Sequence, residues 1–162
     1  MKRTIAPATL GIALVTAVVL GFAPTVQAGE HRECSNASLH GSFGFTSLGT
    51  LNALPPPSAG PFGEIGRQAF DGQGGTDGSA TLAANGNIRR VTWQGTYLVN
   101  ADCTGSMTLF VSPLNATVNL DFVIDDDGAE LRAISTGPTG TGVTGNVETR
   151  VYTKQFEHRR KE

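Results

Sequence analysis

Four dipeptides that accept a positive φ, Asp71-Gly72, Asp77-Gly78, Asn85-Gly86 and Asp127-Gly128, interrupt stretches in which apolar and polar side chains alternate. Alternation with period two is the mark of a half-buried strand, and such Asx-Gly pairs are what a tight hairpin demands. Strands are predicted over 39–49, 62–71, 77–84, 87–99, 104–112, 116–125, 128–136 and 141–156, and no segment keeps helical spacing for more than two turns. Turn signals about ten residues apart describe an up-and-down antiparallel sheet. Eight twisted strands remove their exposed edges by closing, so the fold class is an all-β, eight-stranded antiparallel barrel, with a sandwich of the same strands as the alternative. The 21 glycines follow no three-residue repeat and 16% charged residues show no heptads, which excludes collagen and coiled coil. A net charge of −2 with recurring Val, Ile, Leu and aromatic residues excludes a disordered chain.

The first 28 residues read as an address. Lys2 and Arg3 form a positive start, residues 9–22 an apolar stretch, and Val26-Gln27-Ala28 a small-residue cleavage site. The apolar stretch is short for a membrane span of about 20 residues. Residues 1–28 are therefore expected to be a cleaved signal peptide and 29–162 a single barrel domain, secreted or periplasmic, with no membrane span after processing. Of 12 basic residues, losing Lys2 and Arg3 leaves 10 against 14 acidic ones, a surface with no reason to seek nucleic acid. The basic run Arg159-Arg160-Lys161 reads as a solvated tail. In an oxidising compartment the two cysteines, Cys34 and Cys103, are expected to form a disulfide. No metal is expected, because His31 lies near Cys34 but Cys103 has no such neighbour.

Strand parity assigns faces. Val91, Trp93, Gly95, Tyr97 and Val99 share the side expected inside, and Gln94 lies opposite. Phe70 takes Gln68 and Glu64 inward with it, while Arg67 and Asp71 point outward. Val118, Leu120, Phe122 and Ile124 face the core, and Phe43, Phe45 and Phe110 are expected to fill it. The last strand divides into Val143, Gly145, Val147, Thr149 and Val151 on one side and Asn146, Glu148 and Arg150 on the other. In 128–136 either Leu131 and Ala133 are inside, or Ile134 is, and the second choice buries Glu130 with Arg132. Gly95 and Gly145 add no side chain and so favour a void inside.

An inward Glu64 would have a raised pKa and could act as a general acid or base; at the strand's start it would instead stay solvated at the rim. Residues 51–61, with Pro55-Pro56-Pro57, form a loop that is either a strap over the barrel rim or a lid on its mouth. Asp125-Asp126-Asp127-Gly128 lacks EF-hand spacing and reads as a hairpin tip. The chain has no Gly-x-Ser-x-Gly elbow, no His-Glu-x-x-His and no phosphate loop, which counts against hydrolase and nucleotide chemistry. Asn36-Ala37-Ser38 and Asn115-Ala116-Thr117 are sequons.

Cys34 with Leu39-His40-Gly41-Ser42-Phe43-Gly44-Phe45, then Ala69-Phe70-Asp71-Gly72-Gln73-Gly74, then Gly95-Thr96-Tyr97-Leu98-Val99-Asn100-Ala101-Asp102-Cys103-Thr104-Gly105, resemble a group of small exported bacterial proteins of unassigned activity. The resemblance implies an architecture similar to the allene oxide cyclase-like, calycin-type barrel, whose members bind or cyclise apolar small molecules. No catalytic motif of allene oxide cyclases and no lipocalin Gly-x-Trp is present, so neither activity is carried over. Three functional readings remain. A binding barrel would hold a small apolar or amphipathic ligand between Phe70, Trp93, Tyr97 and Phe122. A cofactorless isomerase or cyclase would use the same pocket, with Glu64, Tyr97 or a buried Glu130–Arg132 pair moving a proton. A structural or surface-interaction protein with a filled core is the third. None calls for a cofactor.

Overall fold

The computed structural model describes residues 33–52, 59–137 and 146–155. The leader, the Pro55-Pro56-Pro57 segment, Val143, Gly145, His31 and the basic tail lie outside them. Eight strands, β1 (His40–Leu51), β2 (Gly60–Asp71), β3 (Gly75–Ala84), β4 (Asn87–Val99), β5 (Thr104–Ser112), β6 (Ala116–Asp125), β7 (Glu130–Ser135) and β8 (Asn146–Lys154), pair in sequence order. β8 returns to β1, so the sheet is a closed antiparallel barrel and not a sandwich. Among the described residues no helix is long and apolar enough to cross a membrane.

Turn chemistry works where the backbone requires it. Asn85 and Gly86 both adopt positive φ, +46° and +84°, in the two-residue link between β3 and β4. Asp77-Gly78, in contrast, is no turn but part of β3. Gly78 pairs with Trp93, whose ring lies where a Cβ on Gly78 would stand. Phe122 covers Gly105 in the same way, and Phe45 covers Gly66. Glycine opposite an aromatic ring thus makes room for that ring. Gly95 is also closed off, by the Thr108 carbonyl and Leu109, so these glycines leave no void.

The inner face carries Phe43, Phe45, Phe70, Trp93, Tyr97, Leu109, Leu120, Phe122 and Leu131, all buried. Phe70 meets Phe43 and Tyr97 edge-on at 5.3 and 5.2 Å, and Phe45 lies 5.7 Å from Trp93 and 5.1 Å from Tyr152. Phe110, expected inside, is 52% exposed. Its register with Gln94 and Thr117, two outward residues, fixes it on the outer wall. β7 resolves with Leu131 and Ala133 inside; Glu130 and Arg132 stay on the outside, where Arg132 bonds Asp125 at 2.6 Å, so no buried Glu130–Arg132 pair exists. The strand predicted from 128 begins at Glu130 because Asp127 and Gly128, at φ +52° and +86°, belong to the preceding 3-10 turn.

One barrel end is closed by the segment before β1. Cys34 is bonded to Cys103 in the β4–β5 turn, with their Cα atoms 5.0 Å apart. Asn36 in the following 3-10 turn (Asn36–Ser38) accepts from the Val99 amide at 2.8 Å and donates to the Gln73 carbonyl. Its amide is thus engaged in the fold. Leu39 is fully buried beneath.

The disulfide spans a sequence separation of 69. Replacing both cysteines by serine should cost about 4 kcal/mol in urea unfolding, and thiol labelling of the oxidised protein should find no free cysteine. Trp93→Ala should cost about 3–5 kcal/mol and Gln94→Ala under about 0.5 kcal/mol; equal costs would mean that β4 is buried on both faces.

Candidate functional site

Cross-strand partners in a ladder point to the same side of the sheet, so β1 decides the orientation of β8. Phe45 pairs with Tyr152 and Ser47 with Arg150, and both β1 residues face inward. Glu148, Arg150 and Tyr152 are therefore inside at 5%, 4% and 0% exposure, and Val147 and Val151 are on the outer wall. Glu64 arrives from β2 opposite Ser47 and is 8% exposed, so it is an interior group and not a solvated one at the rim.

These side chains form a cluster around one guanidinium. Arg150 Nε donates to Glu148 Oε1 at 2.5 Å, Nη2 lies 3.3 Å from Glu64 Oε2, and Ser47 donates to Glu148 Oε1 at 3.0 Å. The guanidinium also stands over Phe45 and Trp93, 5.2 and 5.9 Å from the ring centres, a cation–π arrangement. Burial works against the Arg150 charge, but Tyr152, Glu148 and Glu64 outweigh it and hold its pKa above the ordinary value. Burial pushes Glu64 from 4.5 up to about 7; Arg150 lowers it and Glu148 raises it further. One arginine serves two acids, and Glu148 holds its best-aligned donor.

Two polar systems share the interior and differ in one respect. Deeper toward the disulfide end, Tyr152 donates to Gln68 Oε1 at 3.1 Å, Gln68 donates to Thr76 at 2.9 Å, and Thr76 donates to the Ala69 carbonyl at 2.7 Å. That chain is closed. In the cluster above it, Arg150 Nη1, Trp93 Nε1 and Glu64 Oε2 are buried with no hydrogen-bond partner among the described residues; the 3.3 Å contact from Arg150 Nη2 to Glu64 is not aligned as one. Buried polar groups are nearly always paired, so the three atoms mark the part of the interior whose polar groups the chain leaves unsatisfied.

The residues singled out from sequence divide between the two ends. Glu64 and Trp93 belong to the Arg150 cluster. Phe70 lies six residues from Glu64 along β2, about 20 Å, and packs on Tyr97. The Tyr97 hydroxyl lies 2.9 Å from the Leu39 carbonyl and 3.1 Å from that of Asn36, and it accepts from the Gly72 amide. Burial raises its pKa, against the Gly72 and Gly74 amides, which lower it. Its surroundings are those of a lock on the closed end. Phe122 covers Gly105, beside the turn that carries Cys103. Sequence reasoning did not select Ser47, Glu148, Arg150 or Tyr152. The available signal was Tyr152 in step with Arg150: a tyrosine needs interior room more than two valines do. Grooves of about 630 Å³ beside Arg67, Asp77 and Phe110, and about 690 Å³ beside Asp121, Arg132 and Ile134, are lined mainly by outward side chains.

A folded-state pKa above the ordinary one means that the folded chain binds the proton more tightly than the unfolded chain. The Glu64 contribution is then complete below about pH 4.5 and is lost as pH rises through about 7. Wild type should lose up to about 3 kcal/mol relative to Glu64→Gln across that window in urea titrations; a pH-independent difference would mean that Glu64 titrates as it does in water. No known protein family, curated protein or solved structure matches this chain, so the eight-stranded barrel is the part of the calycin-type resemblance that is present.

Proposed function

We propose that this protein is an exported binding barrel that holds one small apolar or amphipathic molecule in its interior, with the polar end of that molecule against Arg150, Glu64 and Trp93. The observation that carries this reading is the trio of orphaned buried atoms, Arg150 Nη1, Trp93 Nε1 and Glu64 Oε2, beside a second interior network that is closed. An eight-stranded barrel has an interior that side chains can fill or that holds one small ligand. Here most of the aromatic side chains lie toward the disulfide end. Away from it, the inward positions carry the smaller groups Ala80, Ala84, Val91 and Val111 together with Phe62, around Glu64 and Leu82. The disulfide agrees with export to an oxidising compartment.

Native mass spectrometry of protein from its own host should find a bound small molecule that is lost on denaturation. Protein that is always free of ligand, with ordered water alone on the three orphaned atoms, would leave a filled structural barrel in place of a binding one.

One observation favours a second reading, a cofactorless isomerase or cyclase. A carboxyl with a pKa of about 7 in a water-poor interior can give and take a proton at neutral pH. Glu64 is the acid or base in this reading, since the Tyr97 hydroxyl is engaged with backbone groups. If the co-purifying compound is turned over, Glu64→Gln should retain binding and lower the rate by a factor of roughly 10². Unchanged turnover would remove Glu64 from that role.

A further inference from the structure

The orphaned atoms specify more than the presence of a ligand. Two of them, Arg150 Nη1 and Trp93 Nε1, are donors with no aligned acceptor among the described residues, although the Tyr152 hydroxyl also acts on the Arg150 guanidinium; the third, Glu64 Oε2, is a carboxyl oxygen. Arg150 has a carboxylate partner in Glu148 and a second acid, Glu64, at 3.3 Å. A ligand carboxylate would be a third acid on one buried arginine, and like charges in a dry interior repel strongly. A ligand ammonium would find Glu64 but would face two N–H donors with nothing to offer them. A hydroxyl has two acceptor lone pairs and one donor hydrogen, which is the complement of two N–H donors and one carboxyl oxygen.

Resting on the reading of the barrel as a ligand-binding one, we propose that the site takes an uncharged, otherwise apolar alcohol, whose oxygen accepts from Arg150 Nη1 and Trp93 Nε1 and whose hydrogen is donated to Glu64 Oε2. The tail lies against the apolar inner wall, with Phe45, Leu82, Val91 and Val111 within the buried core. No bond is made or broken, so the alcohol is cargo.

Trp93 is the only tryptophan in the sequence, and its emission therefore reports on the site itself. Four probes with one tail, 1-octanol, octanoate, octylamine and octane, would be titrated into the wild-type protein, followed by Trp93 emission and calorimetry. Octanol should bind at least about tenfold more tightly than octane, the gain from satisfying buried polar groups, and more tightly than either charged probe. Trp93→Phe keeps a ring and drops the Nε1 donor, so by calorimetry it should shrink the octanol-over-octane preference by about three- to tenfold. Octanoate or octylamine as the tightest probe would overturn the proposal and leave the binding barrel standing, as would octane equal to octanol. Failure of all four to bind would overturn the proposal together with the binding reading. An unchanged preference in Trp93→Phe would overturn the assignment of the indole as a donor.

Discussion

The structure depends on the ladder between the first strand and the last. β1 pairs along its whole length with β2 and from Phe43 to Leu51 with β8, so one strand is both the start of the sheet and the seam that closes it. Closure satisfies the backbone groups of what would be two open edges. It also decides which face of β8 is inside, because Phe45 and Ser47 carry Tyr152 and Arg150 inward as their ladder partners. A buried guanidinium follows from this register.

Burying that charge is costly, and what surrounds Arg150 works as a unit. Glu148 and Glu64 supply opposite charge, Ser47 holds Glu148, and the rings of Phe45 and Trp93 face the cation. Removing one partner of such a set leaves an uncompensated buried charge, which is far more damaging than the loss of a surface ion pair. The set is nonetheless incomplete. A chain that closes the Tyr152–Gln68–Thr76 network a short way along the same interior has not closed the one around Arg150. That contrast sets the Arg150 end of the barrel apart from the disulfide end. The disulfide end is held by the Cys34–Cys103 bond, the Asn36 bonds and the Tyr97 hydroxyl.

The outer wall differs from the interior in kind. Thr, Ser and charged residues alternate there with single exposed apolar side chains such as Leu48, Ile65 and Val151. Phe110 belongs to this wall. In β5, Gly105, Met107, Leu109 and Val111 take the inward positions, and the phenylalanine between them has no choice of side.

The sequence alone determined the strand count, the disulfide and most of the inward faces. Period-two alternation and Asx-Gly turns are local signals, and in an eight-stranded antiparallel chain they leave few topologies. Gln68, Phe70, Trp93 and Phe122 were legible because each shares a parity with neighbours whose apolar character is unambiguous, whereas Glu64, with the same parity but at the start of its strand, was left between interior and rim until the barrel placed it inside. Asp77-Gly78 was misread as a turn because the need for that glycine comes from Trp93 on the neighbouring strand, not from its own φ. Only the tertiary structure turned β8 so that its valines face out and Glu148, Arg150 and Tyr152 face in. Both faces of that strand are plausible in isolation, and the deciding contacts lie about a hundred residues away in β1. The site forms where side chains from β1, β2, β4 and β8 meet, and that meeting exists only once the barrel has closed.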